Sequence, residues 1–499
     1  MRNQGIGSWP ARRARMSPKR TAVVHDGREW TYAQLYDRVV RLARVFAERG
    51  VRSGDRVAYL GPNHPTFLET LFATGTLGAI FVPLNTRLAA PELAYILRDS
   101  GARLLVHAPT HAEIAAELGS GAEPVDVLDL ESYERLLAAR PADPLDEPVA
   151  DGELSMIMYT SGTTGQPKGV ALSHANIVWN SLNLLIDVDL AGDEVTLVNA
   201  PMFHVAALNQ TVLPTILKGG TLVLDSAFDP VRTLELIARH RVTYLFGVPV
   251  MFQAIASAPG WADADLSSVR SMICGGAPVP ESLIAIYTAR GLTFLQGYGL
   301  TESAPGALFL RAQDGPSKIG SAGTPCFFTD VRVVRPDGTD AGPGEPGEVL
   351  LHGPSLMTCY WHKPEETAAV RSGDGWLRTG DIAVADEDGY LTIRDRIKDM
   401  IISGGENIYP AEVEDVLYRH PAVAECAVIG VPDQRWGEVG RAVVVLRAGA
   451  GAEPDELLDF LAGKIAKYKI PKSVVFVDTL PRSGSGKVLK GPLRASVGR

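Results

Sequence analysis

Over roughly the first half of the chain, from residue 22 to about residue 250, short apolar runs alternate with segments in which apolar residues have the spacing of a helix. Short aliphatic runs such as residues 55–60 are followed by segments with helical spacing of apolar positions, such as residues 66–77. Strands that alternate with helices are typical of layered α/β folds. A stretch rich in proline and acidic residues, 141–153, predicts a surface connection between two such subdomains.

The pattern changes beyond residue 325. Short strand-like segments separated by turn dipeptides, VRVVRPDG, GEVLLHG and DEDGYLTIRDR, predict an antiparallel sheet. After residue 395 the alternation of strands with two helices predicts a separate α+β domain of about 100 residues. The predicted apolar faces of these helices are Val413, Val416 and Leu417 in the first, and Leu457, Leu461, Ile465 and Tyr468 in the second.

Composition narrows the class of protein. Hydrophobic residues make up 46% of the 499 residues and charged residues 21%, the balance of a multidomain globular protein. The formal net charge of −10 argues against nucleic acid as a partner, because its phosphates are bound by clustered Lys and Arg. No apolar run is long enough to predict a transmembrane helix, and the four cysteines are too scattered for a disulfide framework. These features predict a cytoplasmic protein.

The strongest chemical signal is the segment YTSGTTGQPKGV at residues 159–170. An apolar run, 156–159, leads into a loop of small and hydroxylated residues that ends near Lys168. Small residues let backbone N–H groups approach phosphate oxygens, hydroxyl groups add donors, and lysine adds positive charge. The loop therefore favours a triphosphate site over a plain Gly/Ser linker, although its spacing is not GxxxxGK[ST]. The predicted phosphate-binding residues are Thr160, Ser161, Gly162, Thr163, Thr164 and Lys168.

This loop resembles the signature of the adenylate-forming superfamily, which includes acyl-CoA synthetases, aryl-CoA ligases, luciferases and peptide-synthetase adenylation domains. The resemblance extends over nearly the whole chain. Further matching segments, in the family's order, are PMFHVAAL at 201–208, GGAP at 275–278, QGYGLTES at 296–303, WLRTGD at 376–381, DRIKDMIISGGENIYP at 395–410 and PRSGSGK at 481–487. The segments VPLNTRL at 82–88 and KDMIISGGENIYPAEVE at 398–414 most resemble bacterial fatty-acyl-CoA synthetases.

The fold implied by this resemblance is α/β with two domains. The large N-terminal domain, residues 1–394, is expected to combine layered α/β subdomains with a distorted β-barrel and to bind ATP and the acyl substrate. The C-terminal domain, residues 395–499, is expected to be a small, mobile α+β lid. It should rotate about a hinge at Asp395 and supply a catalytic lysine, Lys487.

The resemblance also implies roles for individual residues. Glu302 is expected to hold Mg²⁺ beside Thr301, because this hard cation prefers a carboxylate together with substrate phosphates. Lys487 would bridge the substrate carboxylate and the α-phosphate, with His204 next to both. The remaining expected ATP- or AMP-binding residues are Gly276, Ala277, Gln296, Gly297, Tyr298, Asp381, Arg396 and Lys398, and the expected CoA-binding residues are Gly404 and Gly405. Taken singly, the same residues fit plainer interpretations: a core histidine, surface charges, a turn aspartate and a solvated lysine.

The implied activity is that of an acyl-CoA synthetase. A carboxylate attacks the α-phosphate of ATP, pyrophosphate leaves, and the acyl group of acyl-AMP passes to the thiol of CoA. A medium- to long-chain fatty acid is the predicted substrate. The Phe203-His204 pair disfavours an amino acid, because peptide-synthetase domains commonly have an aspartate at this position to pair with the amino group.

Two alternatives stay open. The acceptor could be the thiol of an acyl carrier protein, as for an aryl-acid ligase of a biosynthetic pathway, although no carrier domain is fused to this chain. The protein could instead be a nucleotide-binding regulator without turnover, against which the intact Glu302, Asp381 and Lys487 argue. Release of pyrophosphate that depends on an added acid would separate a ligase from a regulator.

Overall fold

The computed structural model describes residues 2–120, 124–160, 167–277, 279–314, 316–404, 406–482 and 487–498. Five predicted site residues lie outside them: Ser161, Gly162, Thr163, Thr164 and Gly405. No helix in the described ranges combines the length and apolar character needed to cross a membrane. The helices are α1 (Trp9–Met16), α2 (Tyr32–Glu48), α3 (Pro65–Thr76), α4 (Ala90–Ser100), α5 (Ala112–Ser120), α6 (Leu130–Ala138), α7 (His174–Asp187), α8 (Leu213–Lys218), α9 (Pro230–His240), α10 (Pro249–Ala256), α11 (Glu281–Thr288), α12 (Pro364–Val370), α13 (Pro410–Tyr418), α14 (Pro454–Leu461) and α15 (Lys490–Val497).

The strands fall into four sheets within the described residues. They are β1 (Thr21–His25), β2 (Arg28–Thr31), β3 (Arg56–Leu60), β4 (Ile80–Pro83), β5 (Ala102–His107), β6 (Asp126–Asp129), β7 (Leu154–Thr160), β8 (Lys168–Ser173), β9 (Val195–Val198), β10 (Thr221–Leu224), β11 (Tyr244–Gly247), β12 (Ser271–Gly275), β13 (Phe294–Gly299), β14 (Gly306–Leu310), β15 (Thr324–Pro325), β16 (Asp330–Val334), β17 (Pro346–His352), β18 (Cys359–Tyr360), β19 (Leu377–Ala385), β20 (Leu391–Arg396), β21 (Ile401–Ser403), β22 (Glu406–Ile408), β23 (Val423–Asp433), β24 (Gly437–Leu446) and β25 (Ser473–Phe476).

Two largely parallel sheets form the first part of the chain and confirm the α/β prediction. Their strand orders are β15-β14-β13-β12-β11-β9-β10-β1-β2 and β18-β8-β7-β4-β3-β5-β6. The inner strands, from β13 to β1 and from β7 to β6, pair in parallel, whereas the outer pairs are antiparallel. Helices cover such sheets on both faces, so their inner strands are almost continuously apolar. Ligands bind such sheets beyond the carboxyl ends of their strands.

The connection predicted at residues 141–153 joins different elements from those expected. It contains no helix or strand and runs from α6 to β7. The elements on either side belong to the same sheet, because β6 and β7 are both strands of the seven-stranded sheet. The prediction that this stretch separates two subdomains was therefore wrong. Its composition marks a surface connection but carries no information about which sheet continues beyond it.

The antiparallel sheet predicted beyond residue 325 is confirmed. Strands β16, β17, β19 and β20 follow one another in space, and each neighbouring pair is antiparallel. The part expected to be a distorted barrel is an open four-stranded sheet in the ranges that the structure describes. Its last two strands pair Asp381 with Arg396, two predicted nucleotide-binding residues that are 15 positions apart in the chain.

The C-terminal part is the α+β unit that the sequence predicts. Its sheet has the order β22-β21-β24-β23, with β25 parallel to β24. Val413, Val416 and Leu417 are buried as predicted, and so are Leu457 and Leu461. The second helix was predicted too long, because α14 ends at Leu461 and Tyr468 is 42% exposed. Gly463, with a φ of 76°, turns the chain directly after the helix.

Candidate active site

The predicted phosphate-binding loop is held at both stems. Thr160, at the end of β7, pairs with Lys168, at the start of β8, so the two stems lie side by side. The Tyr159 hydroxyl donates to a carboxylate oxygen of Asp99 at 2.6 Å, and the Tyr95 hydroxyl donates to the Pro167 carbonyl at 3.3 Å. Helix α4 therefore anchors both sides of the loop, which places the Lys168 ammonium group at its base.

Glu302 lies in a single turn of 3-10 helix, Thr301–Ser303, that follows β13. The Tyr360 hydroxyl donates to its Oε1 at 2.7 Å, and the Met357 N–H donates to its backbone carbonyl at 2.7 Å. Burial raises the pKa of Tyr360, as does the neighbouring Glu302 carboxylate, so the phenol stays protonated and remains a donor. This contact fixes the orientation of the carboxylate.

The Glu302 carboxylate fits the expected magnesium ion. Mg²⁺ binds through one or two carboxylates together with substrate phosphates and keeps much of its water, so a dedicated cage of protein ligands is not needed. Tyr360 bonds Oε1, and a carboxylate has a second oxygen to offer to a ligand. When bound, the ion would neutralise phosphate charge next to Thr301 and Glu302.

Asp381 is the centre of a second polar cluster. The Tyr298 hydroxyl donates to its Oδ2 at 2.7 Å, and Arg396 Nε lies 3.3 Å from its Oδ1. Its own backbone N–H donates to Thr379 Oγ1 at 3.1 Å. Burial and the Asp381 charge raise the pKa of Tyr298. The structure thus brings two predicted nucleotide-binding residues, Tyr298 and Arg396, to the buried carboxylate of a third, Asp381. A carboxylate is a group suited to accept two hydrogen bonds from a ribose.

Lys487 joins these two clusters. Burial lowers its pKa to about 8, the positive charges of Arg396 and Lys398 lower it as well, and the carboxylates of Asp381 and Glu302 oppose the change. The charges of both clusters therefore act on the Lys487 ammonium group. The C-terminal lysine is therefore electrostatically coupled to the predicted nucleotide-binding residues Asp381, Arg396 and Lys398 and to the predicted magnesium ligand Glu302.

The lowered pKa of Lys487 predicts a basic limit to activity. Only the ammonium form can neutralise phosphate, so in the free enzyme kcat/KM for ATP should fall about tenfold per pH unit once the pH exceeds about 8. Bound triphosphate adds negative charge and raises the lysine pKa, so the decline in kcat should begin at a higher pH. Rate profiles from neutral pH to about pH 10, with circular dichroism as a control for unfolding, measure both limits. A kcat/KM profile that stays level to the alkaline end would contradict the assignment.

His204 lies at the start of an unusual helix. The residues after it, Ala206–Val212, form a π-helix that continues into α8, and the rings of Phe203 and His204 are 4.5 Å apart. Segments of π-helix are rare and occur frequently at functional sites. Asn209, near the middle of this segment, is fully buried, and neither its amide oxygen nor its amide nitrogen has a hydrogen-bond partner in the described part of the chain.

Neighbouring parallel strands bring the remaining nucleotide-binding candidates together. Gly275, at the end of β12, pairs with Gly297 in β13, and a Cβ at Gly275 would lie 2.7 Å from the Gly297 carbonyl oxygen. Gly276 turns the chain with a φ of 81°, which places Ala277 beyond the strand end. The Gln296 side-chain oxygen is buried without a partner among the described residues. Backbone and amide groups are thus left for a ligand at this edge.

The hinge and CoA candidates lie on the C-terminal side. Asp395 Oδ1 accepts the Arg396 N–H at 2.7 Å and Oδ2 accepts the Ala411 N–H, in the first turn of α13, at 3.0 Å. Gly404, in the turn between β21 and β22, donates its N–H to the Trp436 carbonyl at 2.8 Å. Partial burial and the charge of Arg396 lower the pKa of Lys398. Of these candidates, Lys398 therefore lies near the Asp381 cluster, and Gly404 packs on Trp436.

Three residues around this site escaped the sequence analysis. Tyr360 and Glu366 come from the segment after β17, far from any recognised motif, and Glu366 forms an ion pair with Lys168. Asn209 carried a signal, since it begins the polar stretch 209–211 between two apolar segments that follow His204.

The fold and the site define a nucleotide-binding enzyme of two parts, and comparisons with known proteins identify its family. The model of the AMP-binding enzymes matches residues 10–361, and the model of the AMP-binding enzyme C-terminal domain matches residues 412–487. The chain therefore belongs to the AMP-binding enzyme family.

Individual relatives refine this result. A feruloyl-CoA synthase of an Amycolatopsis species is 57% identical over 498 residues and covers 100% of both chains. A long-chain-fatty-acid–CoA ligase of Mycobacterium tuberculosis is 41% identical over 98% of both chains. The structure of o-succinylbenzoate CoA synthetase from Bacillus subtilis with its acyl-adenylate intermediate superimposes with a TM-score of 0.89, at 33% identity and 98% coverage of both chains. This chain is an ATP-dependent acid–CoA ligase.

Proposed function

We propose that the protein activates an aromatic acid of the hydroxycinnamic type, first as acyl-AMP and then as the CoA thioester. The observation that carries the choice of acid is the buried amide of Asn209, which has no hydrogen-bond partner among the described residues and lies in the π-helix that follows His204. The 57% identical relative is named for feruloyl-CoA, and that acid carries a phenolic hydroxyl group.

The energetics of Asn209 favour a polar acyl group. A buried amide without hydrogen bonds costs about 1–3 kcal/mol, whereas a phenol that donates to the amide oxygen removes much of this penalty. An aliphatic tail in the same place would leave the amide unpaired. A fatty acid is therefore the second candidate, supported by the 41% identical long-chain ligase. A carrier-protein acceptor has less support, because the relatives described above carry names of CoA enzymes.

The first half-reaction follows from the charges around the nucleotide. Asp381 would accept hydrogen bonds from the ribose hydroxyls, while Lys168 and the loop would bind the β- and γ-phosphates. Lys487 would lie between the α-phosphate and the substrate carboxylate, with His204 on the carboxylate side. As a carboxylate oxygen attacks the α-phosphorus, the bond to pyrophosphate breaks, and the ammonium group compensates the charge that develops.

The second half-reaction requires a different arrangement of the two parts. We assign residues 1–394 and 395–499 to two domains that rotate about Asp395, which exchanges the segment of Lys487 for the segment that carries the predicted CoA-binding residues Gly404 and Gly405. The CoA thiol would then attack the acyl carbonyl, and AMP would leave. This proposal rests on the family resemblance and on the position of Asp395 near the end of β20, where its side chain accepts a hydrogen bond from the first turn of α13.

A panel of acids tests the choice of substrate. With CoA present, kcat/KM is expected to be highest for ferulic acid, lower for cinnamic acid, which lacks the phenol, and lowest for octanoic acid. Replacing Asn209 with the similarly shaped leucine should lower kcat/KM for ferulic acid about 10- to 100-fold, because the phenol loses its partner, and should leave cinnamic acid nearly unchanged.

A matched control lies on the same π-helix. The Thr211 hydroxyl donates to the Ala207 carbonyl, so its hydrogen bond is satisfied within the helix. Thr211→Val should therefore leave the ratio of ferulic to cinnamic acid unchanged. Equal losses for both acids in Asn209→Leu, or a wild-type preference for octanoic acid, would rule out recognition of the phenol by Asn209.

A further inference from the structure

We propose that Glu366 competes with pyrophosphate for Lys168: it holds the lysine at the base of the phosphate loop in the free enzyme and recovers it when pyrophosphate leaves. The inference rests on the proposed function of Lys168 in binding the β- and γ-phosphates. It adds a positioning residue outside the motifs from which the site was recognised.

The contacts of Lys168 carry this inference. Its ammonium group forms an ion pair with Glu366 Oε2 and lies 5.4 Å from the centroid of the Tyr360 ring, within the range of a cation–π interaction. The hydroxyl of that same tyrosine donates to Glu302. The cation proposed to bind phosphate and the carboxylate proposed to bind magnesium are thus joined through one aromatic residue, with Glu366 as the counter-ion at one end.

The position of Glu366 is set by rigid elements. Lys168 begins β8, and β18 pairs antiparallel with β8 through Tyr360 and Val170. Helix α12 begins shortly after this strand. The Tyr360 N–H donates to Thr367 Oγ1 at 2.9 Å, so a hydrogen bond connects the strand to the helix. Glu366 is the residue before Thr367, so this edge of the sheet delivers its carboxylate to the base of the loop.

The difference in negative charge between Glu366 and ATP determines which of them binds Lys168. Glu366 carries one negative charge, whereas the triphosphate of ATP carries several, so ATP can displace the carboxylate from Lys168. Lys363 Nζ lies 3.7 Å from the other oxygen of Glu366, so the displaced carboxylate keeps a cationic neighbour. After the chemical step Lys168 contacts free pyrophosphate. The Glu366 carboxylate, which the fold holds at high local concentration, then competes with pyrophosphate for Lys168.

The experiment measures binding of inorganic pyrophosphate to the full-length protein by titration calorimetry in magnesium buffer. Glu366→Gln removes the competing charge and should tighten pyrophosphate binding about three- to fivefold, the range expected for a partly exposed ion pair. The matched control is Glu365→Gln, a neighbouring exposed carboxylate in the same helix turn, which should leave the affinity unchanged. Unchanged or weaker binding by Glu366→Gln would overturn the proposal.

A double variant separates this inference from the assignment of Lys168. Lys168→Met should weaken pyrophosphate binding, and Glu366→Gln should have no effect in that background if Glu366 acts through Lys168. If the effect of Glu366→Gln persists without Lys168, the competition does not exist even though the phosphate site stands. If Lys168→Met binds pyrophosphate as the wild type does, both the phosphate site and the competition are wrong.

Discussion

Lys487→Ala is expected to lower the rate of acyl-AMP formation by about 10²- to 10³-fold, the usual effect of removing one preorganised donor to a developing charge. The lysine lies near Asp381, Glu302, Arg396 and Lys398, and it is the group assigned to the α-phosphate. The measurement is release of labelled pyrophosphate from ATP in the presence of the acid and without CoA. Conversion of preformed acyl-AMP to the thioester should stay close to the wild-type rate, because the proposed rotation about Asp395 removes the lysine from the site before this step.

An exposed lysine of the same C-terminal part serves as the control. Lys472→Ala removes an equal charge from the surface and should leave both half-reactions unchanged. A loss of the same size in both half-reactions of Lys487→Ala would indicate a general structural defect. Normal pyrophosphate release by this variant would contradict the position assigned to the lysine.

Asp395→Pro is expected to give the opposite pattern. Proline fixes φ near −65°, so a residue that must change its backbone angles to rotate a domain can no longer do so. Formation of acyl-AMP should persist, because Lys487 already interacts with the charges of Asp381 and Glu302 in this arrangement of the two parts, so the proposed first half-reaction needs no rotation. Thioester formation should fall by about 10²-fold or more, since CoA would be misplaced relative to the acyl group. Single-turnover rates of the two half-reactions measure this difference.

Asp395→Ala separates the hinge from the hydrogen bonds of the side chain. This variant loses the bonds to the Arg396 and Ala411 N–H groups, and with them about 1 kcal/mol of helix capping, but keeps its freedom of φ. It should be less stable to urea and still complete both half-reactions. If Asp395→Ala and Asp395→Pro show the same thioester defect, rotation about this residue is not the cause.

The sequence predicted those parts of the fold and site that depend on local patterns. Alternating runs and helices predicted the layered α/β part, and the spacing of Val413, Val416 and Leu417 predicted the buried face of α13. The motif residues Tyr298, Asp381 and Arg396 do converge, although they lie on different strands. In the sequence, Gly463 indicates the end of α14. The helix was predicted too long because the apolar spacing continues beyond this glycine to Ile465 and Tyr468.

Contacts between distant segments could not be predicted in the same way. Tyr360 and Glu302 are separated by 58 positions. The hydrogen bond between them depends on how β18, in the seven-stranded sheet, lies relative to β13, in the nine-stranded sheet. The pairing of Glu366 with Lys168 likewise requires the strand order β18-β8-β7, which no local pattern specifies. The same limit explains the error at residues 141–153, where composition identified a connection but not the sheet that it serves.

The central claim is that a carboxylate oxygen of the acid attacks the α-phosphorus of ATP before the thiol reacts. It is tested most directly by supplying ferulic acid labelled with ¹⁸O in its carboxyl group, together with ATP, magnesium and CoA, and analysing the AMP by mass spectrometry. Each AMP released should carry one ¹⁸O atom, because the oxygen that joins the acyl group to the phosphorus leaves with the nucleotide. Unlabelled AMP formed alongside the thioester would contradict it.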